Sequence, residues 1–171
     1  MVGDPHFIVS LQSGKMLCYS IQGYPGLAFN LIHSKTIIIN AQFVDSVGDT
    51  SEATWIGKLA VISQHAHKTQ MVIFDSVNKE VIIFGYGKIK AAVIKSITFY
   101  EHGKVKYLQA IKKQVGNPTV HVEYIKEQAS FDVEFHKNHL DVNWNLQYDK
   151  LNELDGLIGK FLQSSSQYII T

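Results

Sequence analysis

The residues with the most distinctive chemistry in this sequence are four consecutive ones near its start, Gly3, Asp4, Pro5 and His6. Proline makes the Asp4-Pro5 bond a tertiary amide, whose nitrogen leaves more readily once it is protonated. The Asp4 carboxylate can attack its own carbonyl carbon and close a five-membered ring, which is intramolecular nucleophilic catalysis with a large proximity advantage. Breaking the bond to Pro5 then leaves a cyclic anhydride.

The two flanking residues have roles in the same reaction. His6 is placed to supply the proton or to hold the strained geometry, because its unperturbed pKa lies near neutrality. Gly3 lets the backbone adopt the required turn. A structural alternative stays open, in which Asp4-Pro5 is an ordinary turn dipeptide and His6 simply begins a strand.

Two histidine pairs come closest to metal-ligand spacing, His65 with His67 and His136 with His139. Neither pair is joined by the cysteines or carboxylates of a recognisable zinc signature. We therefore expect surface or turn histidines, with no metal site and no cofactor.

Three other patterns have simpler structural explanations. Asp141, Asn143 and Asn145 alternate with apolar residues, but same-face neighbours on a strand lie ~7 Å apart, too far to close on one calcium ion. Their pattern predicts a solvated strand face. The segment 85–88 lacks the spacing of a phosphate loop and predicts a glycine-rich hairpin, and the serines at 164–166 predict a flexible loop.

The length and composition predict one folded domain spanning residues 1–171. Apolar residues make up 46% and charged residues 18% of the chain, which is ordinary for a packed protein. The net charge is +1 and all 16 basic residues are lysines. Without arginine the protein lacks the planar fork that binds phosphates and guanine edges bidentately, so nucleic acid is not an expected partner.

Cys18 is the only cysteine, so no intrachain disulfide can form. No apolar stretch approaches the ~20 residues that span a bilayer, and no signal peptide is visible, so no membrane association is expected. We expect either a cytosolic protein or a piece excised from a longer precursor.

Alternation of apolar and polar residues, typical of half-buried strands, dominates the sequence. It is clearest at 120–124, 131–135 and 142–146. Shorter β-branched runs predict further strands at 6–9, 16–21, 27–32, 36–40, 58–62, 71–74, 81–84, 91–94 and 105–108.

Turn signals between these runs favour antiparallel hairpins, so the predicted fold is an all-β sandwich or flattened barrel. Asp149 to Leu162 is the best helical segment, and Val44 to Ala53 is a predicted loop.

Four segments, in order, resemble the C-terminal domain of inter-alpha-trypsin inhibitor heavy chains, which is related to von Willebrand factor type D domains. The segments are Gly3-Asp4-Pro5-His6-Phe7-Ile8, Leu17-Cys18-Tyr19-Ser20-Ile21 with Pro25-Gly26, Trp55-Ile56-Gly57-Lys58-Leu59, and Gly156-Leu157-Ile158-Gly159-Lys160-Phe161. The resemblance implies a secreted, extracellular-matrix protein whose Asp4-Pro5 bond cleaves autocatalytically in a single turnover.

In that family the new C-terminal aspartate becomes esterified to chondroitin sulfate, and the heavy chain is later passed to hyaluronan. The resemblance thus implies a glycosaminoglycan partner captured at Asp4, with residues from Pro5 onward forming the departing propeptide.

This protein departs from the family in two places. The expected partner of Cys18 is missing, so an inert buried thiol is expected. Residues 162–166 lack the carboxylates of the type D calcium loop. Two other functions remain open: a non-catalytic β-sandwich module that binds an extracellular protein or polysaccharide, and a small-molecule binder with an aromatic interior.

Overall fold

The computed structural model describes residues 6–11, 16–20, 28–45, 54–65, 68–100, 103–125 and 129–146. These residues form thirteen strands and one 3-10 helix at Ala91–Val93, which confirms the all-β prediction. The strands are β1 (His6–Leu11), β2 (Met16–Ser20), β3 (Ala28–His33), β4 (Ile37–Asp45), β5 (Thr54–His65), β6 (Lys68–Asp75), β7 (Glu80–Ile83), β8 (Gly87–Lys90), β9 (Ile94–Phe99), β10 (Val105–Gln109), β11 (Thr119–Tyr124), β12 (Ala129–Phe135) and β13 (Leu140–Leu146).

The strands belong to one curled sheet that is open like a half-barrel. Its main path runs β10-β9-β11-β12-β13-β5-β6-β7-β8, while β1 and β2 extend from β13, and β4 and β3 extend from β5. We call the part of this path from β10 to β13 and the part from β5 to β8 the two branches of the sheet. They join at a single backbone pair, Leu140 with Ile56. This junction is the point at which the curl brings distant hairpins together.

The strands with the clearest alternation bury their apolar side chains as predicted. The described side chains of β11 to β13 that face the core are Val120, Val122, Tyr124, Phe131, Val133, Phe135, Leu140, Val142 and Trp144. Phe74 of β6 contacts Phe135 of β12 with ring centroids 6.2 Å apart, so the core continues from one branch to the other. Burial of this apolar surface stabilises the curled sheet.

One tight backbone approach lies beside the junction. A Cβ atom added to Gly57 would lie 2.5 Å from Cγ1 of Val44, well inside van der Waals contact. The β4–β5 register shifts nearby, between Gln42 and Phe43. Because Gly57 has no side chain, the Val44 side chain of β4 can lie against the backbone of β5 at this point, next to the pairing of β5 with β13.

The structure corrects three details of the sequence-based fold. Two strand pairs are parallel, β1 with β13 and β11 with β9. The predicted strand at 91–94 is instead the 3-10 helix followed by β9. The predicted loop beginning at Val44 is wrong at its start, because Val44 and Asp45 belong to β4 and pair with β5.

Three further predictions fall beyond the described ranges. They are the helical segment from Asp149 to Leu162, the flexible loop at 164–166 and the rest of the predicted loop, residues 46–53. Within the described ranges, no helix has the length and apolar character needed to cross a membrane.

Candidate functional site

The predicted cleavage motif meets the structure at His6. Strand β1 begins at this residue, whereas Gly3, Asp4 and Pro5 lie outside the described residues. The backbone of β1 is paired on both sides: His6 pairs with Ser20 of β2, and Phe7 pairs in parallel with Val142 of β13. The segment just after the predicted scissile bond is thus an inner strand of the sheet.

A second group of reactive side chains lies on the hairpin that joins β12 to β13. The backbone N–H of His136 donates to the carbonyl of His139 at 2.9 Å, closing the turn. This turn stacks the two imidazole rings, whose centroids are 4.6 Å apart and whose planes differ by 1°. The pair, predicted to lie on a surface or at a turn, is indeed at a turn, but its two rings are in direct contact.

Two carboxylates complete this group. Glu134 and Asp141 are directly opposite each other on the antiparallel strands β12 and β13. Nε2 of His136 lies 2.8 Å from Oδ2 of Asp141 and 3.2 Å from Oε1 of Glu134. Nε2 of His139 lies 3.7 Å from Oδ1 of Asp141. We call these four residues the hairpin cluster.

The contacts around His136 Nε2 are close but poorly directed. This nitrogen is buried, and among the described residues no group meets it in hydrogen-bond geometry. The short distances to Asp141 and Glu134 are therefore close contacts of an imidazole nitrogen with two carboxylates. They are not aligned N–H···O bonds.

Three other elements hold the hairpin cluster in place. The ammonium of Lys79, in the β6–β7 turn, donates to the carbonyl of His136 at 2.7 Å. Nδ2 of Asn117, which precedes β11, lies 3.3 Å from Nδ1 of His136. The ring of Trp55 on β5 packs against His139 with centroids 4.1 Å apart. The cluster therefore forms where the two branches of the sheet meet.

Burial favours the neutral form of one ligand-type nitrogen. It lowers the pKa of His139, and the nearby His136 and Lys79 act in the same direction while Asp141 opposes them. A neutral imidazole offers a lone pair, so His139 is suited to binding a cation. Together with the carboxylates, the cluster can hold a positive ion.

Several other polar side chains have simpler surroundings. His121 on β11 and Asp132 on β12 form a pair with Nδ1 and Oδ1 2.7 Å apart, and both side chains are about half exposed. His65 ends β5, and His67 lies outside the described residues. Asn143 and Asn145 are exposed on β13, as predicted for a solvated strand face.

One sequence signal connects Asp141 with the two histidines, although their spacing matches no known metal-binding motif. Strand alternation puts Glu134 and Asp141 on the polar side of a hairpin whose turn contains both histidines. Recognising a hairpin between 135 and 140 would have placed these side chains together. Their contact with Trp55 and Lys79 had no sequence signal, because those residues come from distant parts of the sheet.

Comparison of the sequence and fold with family models, with curated proteins and with solved structures finds no match in any of the three. The class that the described residues establish is an all-β domain with a curled, half-barrel sheet. The resemblance to the C-terminal domains of inhibitor heavy chains rests on the four sequence segments alone.

Proposed function

We propose that this protein is a propeptide-type domain that cleaves its own Asp4-Pro5 bond and thereby couples an upstream polypeptide to a glycosaminoglycan. The observation that carries this proposal is the tetrapeptide Gly3-Asp4-Pro5-His6, which contains nucleophile, electrophile, leaving group and proton source in one stretch. The order of the four family-like segments supports the same function. The reaction is a single turnover, so the domain is not an enzyme in the usual sense.

The cleavage step requires only groups of this motif. An oxygen of the Asp4 carboxylate adds to the Asp4 carbonyl carbon, and the bond from that carbon to the Pro5 nitrogen breaks as the nitrogen takes up a proton. His6 is the proposed donor of that proton. The cyclic anhydride then reacts with a sugar hydroxyl, which forms an ester at the α-carbonyl and releases its own proton, or with water, which regenerates a free aspartate.

The fold supports this proposal through β1. Because β1 pairs with β2 on one side and β13 on the other, its first residue is held at a defined place in the sheet. The leaving nitrogen belongs to Pro5, which is bonded directly to that residue. Holding the residue that follows the leaving nitrogen would lower the entropy cost of reaching a reactive geometry.

Intact-mass measurement tests the proposal. A protein extended upstream of Met1 by a folded tag is incubated at mildly acidic pH, with Asp4→Asn and the exposed-site control Asp132→Asn alongside. We expect two fragments that separate at Asp4-Pro5 in the wild type and in the control, and full-length protein in Asp4→Asn.

A trapping arm identifies the intermediate. Hydroxylamine attacks an anhydride, so the upstream fragment is expected to carry a hydroxamate at Asp4. Chondroitin sulfate added instead is expected to give an alkali-labile ester. Full-length protein that persists in the wild type as in Asp4→Asn would contradict the proposal and favour the non-catalytic binding module.

A further inference from the structure

We propose that the hairpin cluster of His136, His139 and Asp141, with Glu134 beside them, is a binding site for a divalent transition-metal ion such as Zn²⁺. The three ligand-type atoms of His136, His139 and Asp141 all lie within 4.8 Å of one another. This site is separate from the Asp4-Pro5 bond, and the proposal does not depend on cleavage.

The charge arrangement of the cluster calls for a cation. Glu134 and Asp141 are directly opposite on neighbouring strands, where like charges repel. Both carboxylates approach one nitrogen of His136, which can donate at most one hydrogen. The ammonium of Lys79 donates to the carbonyl of His136 instead. A bound metal ion would neutralise both carboxylates at once.

A second observation that points to a ligand is that Nε2 of His136 is close to two carboxylates but aligned for a hydrogen bond with neither. Nε2 of His136 is buried and has no hydrogen-bond partner among the residues the structure describes. A buried nitrogen without a partner is costly in a native protein. Coordination to a metal ion would satisfy it.

The donor set selects the class of metal. Two imidazoles with one or two carboxylates are typical of zinc and its first-row neighbours, whereas calcium and magnesium prefer oxygen ligands alone. Three protein ligands also leave room for a water molecule or for a carboxylate oxygen from Glu134 as the fourth ligand.

Metal binding would require a small movement. The rings of His136 and His139 are parallel, so their in-plane lone pairs cannot point at a single ion. One ring must turn about its Cβ–Cγ bond, a torsion whose preference is broad for histidine. Because His139 packs on Trp55 with centroids 4.1 Å apart, binding should alter the emission of Trp55.

Titration calorimetry with Zn²⁺ on the full-length protein is the primary test. We expect one tight site in the wild type and a loss of affinity of about 100-fold or more in His139→Ala and in Asp141→Asn, because losing a ligand costs at least as much as losing its supporting groups. We expect a smaller loss, about 10-fold, in Glu134→Gln. His121→Ala is the matched control, since it removes a histidine that pairs with one carboxylate on the same sheet.

A second readout locates the ion. Cu²⁺ bound at the cluster should quench the fluorescence of Trp55, and Trp55→Phe should remove the quenching while the buried Trp144 still emits. Far-ultraviolet circular dichroism of every variant checks that it folds. The proposal is overturned if folded His139→Ala binds Zn²⁺ as tightly as the wild type, if His121→Ala loses as much affinity as His139→Ala, or if Cu²⁺ quenches Trp55→Phe as strongly as the wild type.

Discussion

The start of β1 and the β12–β13 hairpin are the two regions to which we assign a chemical function, and their functional groups are brought together in different ways. Around Asp4 every group of the proposed cleavage comes from consecutive residues, so the groups are neighbours whatever the fold does. All four residues of the hairpin cluster belong to one hairpin, but Trp55 and Lys79, which contact the cluster, come from other parts of the sheet. The first site therefore needs the fold only to hold it, whereas the second exists only in the folded protein.

The two regions share one strand. Asp141 is the residue before Val142, and Val142 is the partner of Phe7, the residue that follows His6. The hairpin cluster and the beginning of β1 thus meet β13 at the same end. Changes in each region, and in the strand between them, can show whether the two sites work independently.

The largest expected effect comes from removing the nucleophile. Asp4→Asn should slow the release of the upstream fragment by at least about 1,000-fold, because the intramolecular carboxylate supplies the proximity advantage of the reaction. Zn²⁺ affinity should stay at the wild-type value. Intact mass and calorimetry on the same sample measure both, and a fall in Zn²⁺ affinity would show that the sites are coupled.

Trp144→Ala should remove the proposed cleavage and the proposed metal binding together, by unfolding the strand that the two regions share. Trp144 is 1% exposed and packs on Phe131 with centroids 4.8 Å apart. Emptying such a site typically costs about 3–5 kcal/mol. Urea denaturation followed by circular dichroism measures the loss. Asn143→Ala, exposed on the same strand, should change stability by less than about 0.5 kcal/mol.

Gly57→Ala should disturb the β12–β13 hairpin more than the start of β1. The new methyl group would meet the side chain of Val44 next to the Leu140–Ile56 pair. Overpacking of this kind costs about 1–3 kcal/mol. Thermal unfolding of the single variant and of Gly57→Ala with Val44→Ala measures the effect, and no recovery in the double variant would refute the steric cause.

Lys79→Met has the smallest expected effect, and it tests how much the contact of Lys79 with His136 stabilises the hairpin cluster. Its ammonium donates to the carbonyl of His136 at 2.7 Å, and loss of such a bond should cost about 1–2 kcal/mol. Lys88→Met serves as the control, because Lys88 is largely exposed and its nitrogen is 3.8 Å from Glu80. That pair should be worth less than about 0.5 kcal/mol. Equal losses in both variants would mean that the contact with His136 contributes nothing specific.

The fold class and most strand positions could be predicted because strand alternation is a local signal. β11, β12 and β13 each present apolar side chains at every second residue, and each buries them. The hairpin around Gly85 and Gly87 was also predictable, since both glycines have positive φ angles of 95° and 103°.

The segment around Ala91 shows where local signals fail. Its apolar residues predicted a strand, but the carbonyls of Ala92 and Val93 accept hydrogen bonds from Gln114 and Ala110, in the segment after β10. These distant partners replace a strand ladder and allow a 3-10 turn. A local pattern cannot reveal partners so far along the sequence.

By itself the sequence determined the all-β class and the chemistry available at Asp4-Pro5, because both depend on residues that are adjacent or two apart. Only the tertiary structure decided that β1 pairs in parallel with β13 and that His136, His139 and Asp141 converge beside Trp55. Strand pairing and burial are settled by which apolar surfaces pack together across the whole domain. That packing is what brings Trp55 and Lys79, from the other branch of the sheet, against the hairpin cluster.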